Sequence, residues 1–178
     1  MRLVPLDGAE RFALVTGWLG RKENHQWLDF GDGRQLVSPE WLKVAMQRGT
    51  LVLRLFTRDE DDQPIGLVGL SNVSRAFKTA NFFVVLGDKA AAGRGYASRA
   101  GRAMLTLAFR ELGLEAVHTW IVEGNHSVHV ARNMGFKPFG RQRRCHVIDG
   151  QPYDRLWYDV LAAEHEEVHD AEPRPRTA

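Results

Sequence analysis

The chain has 178 residues, 44% hydrophobic and 26% charged, a balance that excludes disordered and fibrous classes and fits a folded globular domain. Twenty-four Lys and Arg face 22 Asp and Glu, a net charge of +2, so nucleic-acid binding is only a minor expectation, resting on the cluster Arg141, Arg143 and Arg144. The single cysteine, Cys145, excludes an internal disulfide and any paired-cysteine metal site. No apolar run reaches membrane-spanning length and the N-terminus lacks a signal-peptide pattern. A cytoplasmic domain without metal or membrane attachment is therefore expected over residues 1–163, followed by a flexible tail over 164–178.

Leu3–Leu6 predicts a first strand, and Phe12, Val15 and Leu19 at helical spacing predict a helix over Gly8–Leu19. A loop over Asn24–Val37 follows. Ser38-Pro39-Glu40 reads as a helix start, because the serine oxygen accepts from free N–H groups and the missing proline donor costs nothing at the first position. That helix ends near Gly49. Thr50–Phe56 and Ile65–Val73, separated by a polar segment, predict a hairpin. Phe82–Leu86 is a short continuous apolar run of the kind buried on both faces, hence a central strand.

The glycine-bearing loop Gly87–Gly95 leads into a helix whose stripe is Ala97, Ala100, Met104, Leu107 and Ala108, with Gly113 as its stop. A strand over Ala116–Val122, a short helix over Ser127–Met134 and a strand over Phe136–Val147 come next. Asp149-Gly150 signals a tight hairpin turn before the last strand, Tyr153–Leu161. This order predicts an α/β (α+β) domain with a mixed, mostly antiparallel central sheet of about seven strands flanked by about four helices.

Chemistry concentrates at the loop before the long helix. Gly93 and Gly95 bring unpaired backbone N–H groups and the positive end of the helix dipole to one point, which suits phosphate oxygens, though the same glycines also suit a plain turn. Ala97 and Ser98 are small enough for close approach, and Arg94 adds a cation. The segment is not a P-loop, having no Gly-Lys-Ser/Thr ending, and a dinucleotide fingerprint begun at Gly93 fails at Ser98.

Two segments carry a family resemblance. Ala92-Gly93-Arg94-Gly95-Tyr96-Ala97 follows the pattern Arg/Gln-x-x-Gly-x-Gly/Ala at Gly95 and Ala97, with Ala92 departing at the first position. Asn125-His126-Ser127, leading to Met134-Gly135-Phe136, matches a second signature with Asn and Ser one residue closer together than usual. The sequence thus resembles the GNAT superfamily of N-acetyltransferases, and within it the ribosomal-protein N-terminal (alanine/serine) acetyltransferase branch, over roughly Leu3–Leu161. The resemblance implies acetyl-CoA as cosubstrate, an amine acceptor as partner, and a dimer as a common assembly. It implies a pantetheine arm along the backbone of Val84, Val85 and Leu86, a pyrophosphate on Arg94, Gly95, Tyr96, Ala97 and Ser98, and a pantetheine contact from Asn125 or Ser127.

Such a site moves acetyl directly from thioester to amine through a tetrahedral intermediate, with a backbone N–H near Val85 or Leu86 as oxyanion donor. Glu123 is the first choice for general base, ahead of Asp88 and His126, and Ala131 stands where relatives place a tyrosine acid. A thiol of pKa about 8.5 leaves readily, and an α-amine of pKa about 8 needs little help, which favours peptide N-termini or small amines. Trp27 and Phe30 are candidate acceptor contacts, and Asp29 and Asp32 would attract a cation. Each assignment has a plainer alternative: core packing for Val84, Val85, Trp27 and Phe30, a helix cap for Asn125, and a solvated carboxylate for Glu123. Another class of function, a catalytically silent acyl-CoA-binding or sensing module, is consistent with Ala92 and Ala131.

Overall fold

The computed structural model describes residues 1–168. The elements are β1 (Leu3–Pro5), α1 (Gly8–Leu19), α2 (Lys22–His25), α3 (Pro39–Gln47), β2 (Leu51–Thr57), β3 (Pro64–Ser74) and β4 (Thr79–Leu86), then α4 (Tyr96–Arg110), β5 (Ala116–Val122), α5 (Ser127–Asn133), β6 (Lys137–Ile148) and β7 (Gln151–Leu161). The strands form one sheet in the order β1-β2-β3-β4-β5-β7-β6. Every neighbouring pair is antiparallel except β4 and β5.

Local chemistry sets the boundaries. The Ser38 hydroxyl accepts from the Trp41 N–H at 3.2 Å, with Pro39 as the first helical residue of α3. Asp149 (φ 50°) and Gly150 (φ 77°) alone connect β6 to β7, the two left-handed residues a type I′ turn requires. Alternation along the strands feeds two cores. Leu51, Leu53 and Leu55 of β2 join Val85 of β4 beneath α1 and α3, while Phe82 and Val68 pack with Met104, Leu105 and Ala108 of α4 on the opposite face.

The structure departs from the sequence reading at a few points. The loop after α1 contains the single turn of α2, and β4 begins three residues earlier than the apolar run, at Thr79. β4 is the central strand, yet Phe83 and Val84 are only half-buried, because β5 leaves its side. On α4 the buried face runs through Ala100, Gly101, Met104, Leu105 and Ala108, with Ala97 and Leu107 half-buried. Gly101 belongs there because a Cβ at this position would lie 1.9 Å from the Met134 sulfur; the glycine lets the end of α5 close on α4.

The segment expected as a tail begins with residues that lie against α4. The Thr106 hydroxyl is 2.8 Å from His165 Nε2 and accepts from the Val168 N–H at 3.2 Å, and the His165 ring sits 5.3 Å from that of Phe109. The remainder of that segment, residues 169–178, lies outside the described residues. Among the described residues no helix is long and apolar enough to cross a membrane.

Candidate active site

The sheet is open at its middle. β4 and β5 pair only through Thr79 with Ala116, Ala80 with Val117, and Asn81 with His118; beyond that point β4 stays on β3 as far as Leu86 and β5 stays on β7 as far as Val122. The two strands splay into a wedge. At its vertex the buried Thr119 hydroxyl donates to the Phe82 carbonyl at 2.9 Å.

Backbone alternation decides which groups face this wedge. The Gly87 N–H donates to the Ile65 carbonyl of β3 at 2.9 Å, so the N–H and C=O of Val85 and Phe83 also turn toward β3, while those of Phe82, Val84 and Leu86 turn away from it. Thr119 takes the Phe82 carbonyl, and Lys89 Nζ takes the Leu86 carbonyl at 2.9 Å. The Val84 N–H and C=O and the Leu86 N–H are thereby presented to the gap. Of the three residues expected to carry a pantetheine arm, Val84 and Leu86 have that orientation. Val85 instead gives its backbone to the β3 ladder and its buried side chain to the core beneath α1.

Trp27, Phe30 and Val84 line the cleft, joined by Asn125, Ser127 and Ala131 from the α5 side. Asn125 Oδ1 accepts from the Ser127 N–H at 2.9 Å, so its carbonyl end caps the start of α5. Phe30 stands edge-on between Phe83 (5.6 Å) and Trp41 (5.8 Å), which fixes its ring at the cleft wall.

At the other end of β4, Gly93 (φ 75°) and Gly95 (φ 76°) both adopt left-handed backbone. The Arg99 N–H bonds the Gly95 carbonyl at 3.1 Å, so the N–H groups of Tyr96, Ala97 and Ser98 in the first turn of α4 have no acceptor within the helix. The Arg94 guanidinium is ion-paired with Glu60 and lies 5.3 Å from the Tyr96 ring. The hydrogen bond from Arg94 holds the Glu60 carboxyl below its ordinary range. The buried Tyr96 donates through its hydroxyl to Glu60 at 3.1 Å and accepts from the Asp59 N–H at 3.2 Å. Both side chains are thus tied to the turn between β2 and β3, and what they offer an anion is backbone N–H.

The acid–base candidates sit further out. Glu123, just past β5, accepts from Arg141 Nη2 at 2.7 Å, and Arg141 also bonds Asp154 at 2.5 Å; the carboxylate is at the lip of the wedge and exposed. Asp88 accepts from Arg58 at 2.6 Å and from the Ala90 N–H at 3.0 Å. His126 is exposed. The Cys145 thiol donates to the Gln142 carbonyl at 3.2 Å, and Tyr158 is in the core.

Several polar groups near the site were invisible in the sequence. Lys89 Nζ bonds Asn24 Oδ1 at 2.5 Å as well as the Leu86 carbonyl, and burial pushes its pKa down. Asn81 Oδ1 is buried at the vertex without a hydrogen-bond partner. A third group clasps the loop before α3 to the far half of the sheet. Arg155 Nη2 donates to Asp29 Oδ2 at 2.9 Å and lies 3.0 Å from His146 Nδ1, and His146 Nε2 is 2.7 Å from the Gln26 carbonyl. Since a carbonyl only accepts and a guanidinium only donates, His146 is neutral with its hydrogen on Nε2. No local motif joins residues so far apart in sequence.

A seven-stranded, mostly antiparallel sheet splayed at one parallel pair, with a glycine turn and helix N-terminus beside the splay, defines an acyl-transferring fold, and the chain belongs to the acetyltransferase (GNAT) domain family, whose model matches residues 2–137. It is an acyltransferase of that family. A curated relative, "Putative ribosomal N-acetyltransferase YdaF" of Bacillus subtilis (strain 168), is 26% identical over 174 residues, covering 93% of this chain and 92% of the relative. Among solved structures, the spermidine N-acetyltransferase of Vibrio cholerae in complex with CoA and spermine superposes with a TM-score of 0.79 at 18% identity, covering 92% of this chain and 96% of that one. Mycobacterium smegmatis RimJ in complex with CoA-disulfide gives 0.74 at 19%, covering 91% and 82%. Both likenesses are of fold.

Proposed function

We propose that this protein is an acetyl-CoA-dependent N-acetyltransferase that moves an acetyl group directly onto a primary amine, either a peptide N-terminus or a small amine. The observation that carries the reading is the free edge of β4: Val84 and Leu86 turn backbone groups to the gap that β5 leaves, and the glycine turn and the open N-terminus of α4 follow next in the chain.

An extended pantetheine amide has the donor and acceptor pattern of a strand, so it pairs with Val84 where β5 has left. The pyrophosphate meets the N–H groups of Gly95, Tyr96, Ala97 and Ser98, with Arg94 contributing backbone rather than charge. Asn125 and Ser127 meet the pantetheine from the α5 side. Leu86 lies between Val84 and the pyrophosphate turn, so its N–H serves the pantetheine, and the Val84 N–H, in the cleft with Trp27 and Phe30, is the one that stabilises charge developing on the thioester oxygen. The amine enters past Trp27 and Phe30, and holding it in line with the thioester supplies much of the rate. Glu123, held by Arg141 at the lip, takes the amine proton through water. The thiol, of pKa about 8.5, leaves without a strong acid, in keeping with Ala131 on the cleft wall.

Calorimetric titration with acetyl-CoA, coenzyme A and ADP, on the wild type and on Gly95→Glu, tests the reading. Acetyl-CoA binding that disappears in the variant supports it, since a carboxylate there opposes the phosphates and a side chain is strained at φ 76°. A folded wild type that does not bind acetyl-CoA overturns it. The second reading, a silent acyl-CoA-binding module, draws on Ala131 in the cleft and on the engagement of Glu123 by Arg141. Binding without thiol release, across neutral peptides and spermidine alike, would establish that alternative.

A further inference from the structure

The acceptor side of the cleft is built from residues 27–30, which belong to no helix or strand. Asp29 is the one charged side chain on the cleft wall among the described residues. It is fully engaged. Its Oδ1 accepts from the N–H of Gly31 at 2.9 Å and of Gly33 at 3.1 Å, and its Oδ2 accepts from Arg155 at 2.9 Å. The Asp29 and Arg155 side chains are only 17% and 14% exposed, so their charges cancel in a place that water screens poorly. Burial alone would raise the Asp29 pKa, but the bonds from Arg155 and Gly31 outweigh it and hold the carboxyl below its ordinary range.

Arg155 is itself fixed on three sides. Its guanidinium lies 3.8 Å from the ring centre of Trp120, another residue of the cleft wall, and it bonds His146, which in turn donates to the Gln26 carbonyl. One side chain therefore neutralises the cleft and pins the loop that carries Trp27 and Phe30. The adjoining cavity on the α3 side, reached past Phe30, adds Glu40 and Arg48, one charge of each sign. Nowhere along this path is there a surplus of negative charge.

We propose that Arg155 is the specificity-determining positioning residue of the acceptor site: by occupying Asp29 and fastening its loop over Trp120, it selects an amine flanked by uncharged groups and discriminates against polyamines. A second ammonium entering the cleft must shed water and needs a free carboxylate in return. Arg155 has already taken the one on the cleft wall. This inference rests on the acetyltransferase reading above.

The test compares wild type, Arg155→Lys, Arg155→Met and Arg155→Met/Asp29→Asn, with a serine-initiated neutral peptide and with spermidine. Thiol release gives kcat and KM separately, and calorimetry gives the acetyl-CoA Kd. The wild type is expected to favour the peptide over spermidine by at least about tenfold in kcat/KM. In Arg155→Met the KM for spermidine falls about tenfold while the acetyl-CoA Kd stays within about twofold, and adding Asp29→Asn removes the gain. Arg155→Lys keeps the charge and keeps the wild-type preference, which guards against an Arg155→Met that fails to fold. A wild type that prefers spermidine overturns the proposal, as does an Arg155→Met with an unchanged ratio or with acetyl-CoA and both amines weakened alike. Tight acetyl-CoA binding with neither amine consumed overturns the enzymatic reading and this one with it, whereas a lost preference with turnover intact overturns only this one.

Discussion

Thr119→Val removes the side-chain hydrogen bond at the end of the join between the two halves of the sheet. The valine keeps the shape and the β-propensity, but deletes the donor that holds the Phe82 carbonyl at 2.9 Å just where the ladder between β4 and β5 ends. Thr119 is 6% exposed, so the carbonyl loses its partner in a place where water does not readily replace it. Leaving a buried acceptor unpaired costs about 1–3 kcal/mol. At about 2–4 °C per kcal/mol for a chain of this size, the melting temperature should fall by roughly 2–12 °C. Urea denaturation is the direct assay, with the midpoint lowered and the slope unchanged. Thr119→Ser is the control, since it keeps the hydroxyl and loses one methyl, worth about 0.8 kcal/mol. A valine variant that unfolds at the wild-type midpoint, or a serine variant that loses as much as valine, would refute the role given to this bond.

Gly87→Ala is expected to destabilise the protein by about 1–3 kcal/mol through overpacking, because the added Cβ would lie 2.1 Å from the indole of the buried Trp18. A smaller side chain at Trp18 in the same background should recover part of that loss in a double-mutant cycle. Acidification should destabilise the fold as well. Burial pushes His118, His146 and His165 below the ordinary histidine value, so the unfolded chain takes up their protons first as pH falls. Their contribution is complete above about pH 6.5 and is lost as the pH drops from there toward the lower folded values. His146 faces Arg155, Asp29, Trp120 and the Gln26 carbonyl; His146→Gln should flatten its share of the slope. Urea midpoints that stay level or rise between about pH 7 and pH 5 would contradict this sign.

Where local rules act alone, the sequence was a good guide. Ser38-Pro39 marks the start of α3, Asp149-Gly150 makes the tight turn, and β5 covers the expected Ala116–Val122. What it hid depends on the packing of distant segments. Thr79 and Asn81 lie outside the apolar run Phe82–Leu86 that marks the strand, yet with Ala80 they form the short parallel ladder with β5. Gly101 interrupts a helical stripe until Met134 is seen to fill its place. At the candidate site, the glycine turn and the Asn125–Ser127 signature stood in the sequence, but the orientation of Val85 is a matter of register with β3. The engagement of Arg94 by Glu60 needs the turn between β2 and β3 to fold over α4. Asp29, His146 and Arg155 meet only because a loop near the N-terminus crosses to the last two strands, a contact that no spacing rule encodes.

The short join between β4 and β5 also governs how the molecule deforms. Three residue pairs and the Thr119 hydrogen bond join a plate of four strands to a plate of three within the sheet, so few rungs resist bending about Asn81 and His118. A guest stretched along the free edge of β4 would act as a keystone, supplying the missing rungs and stiffening both plates at once. Rigidity and occupancy would then rise together, with amide protection gained first at Val84 and Leu86 rather than spread across the fold.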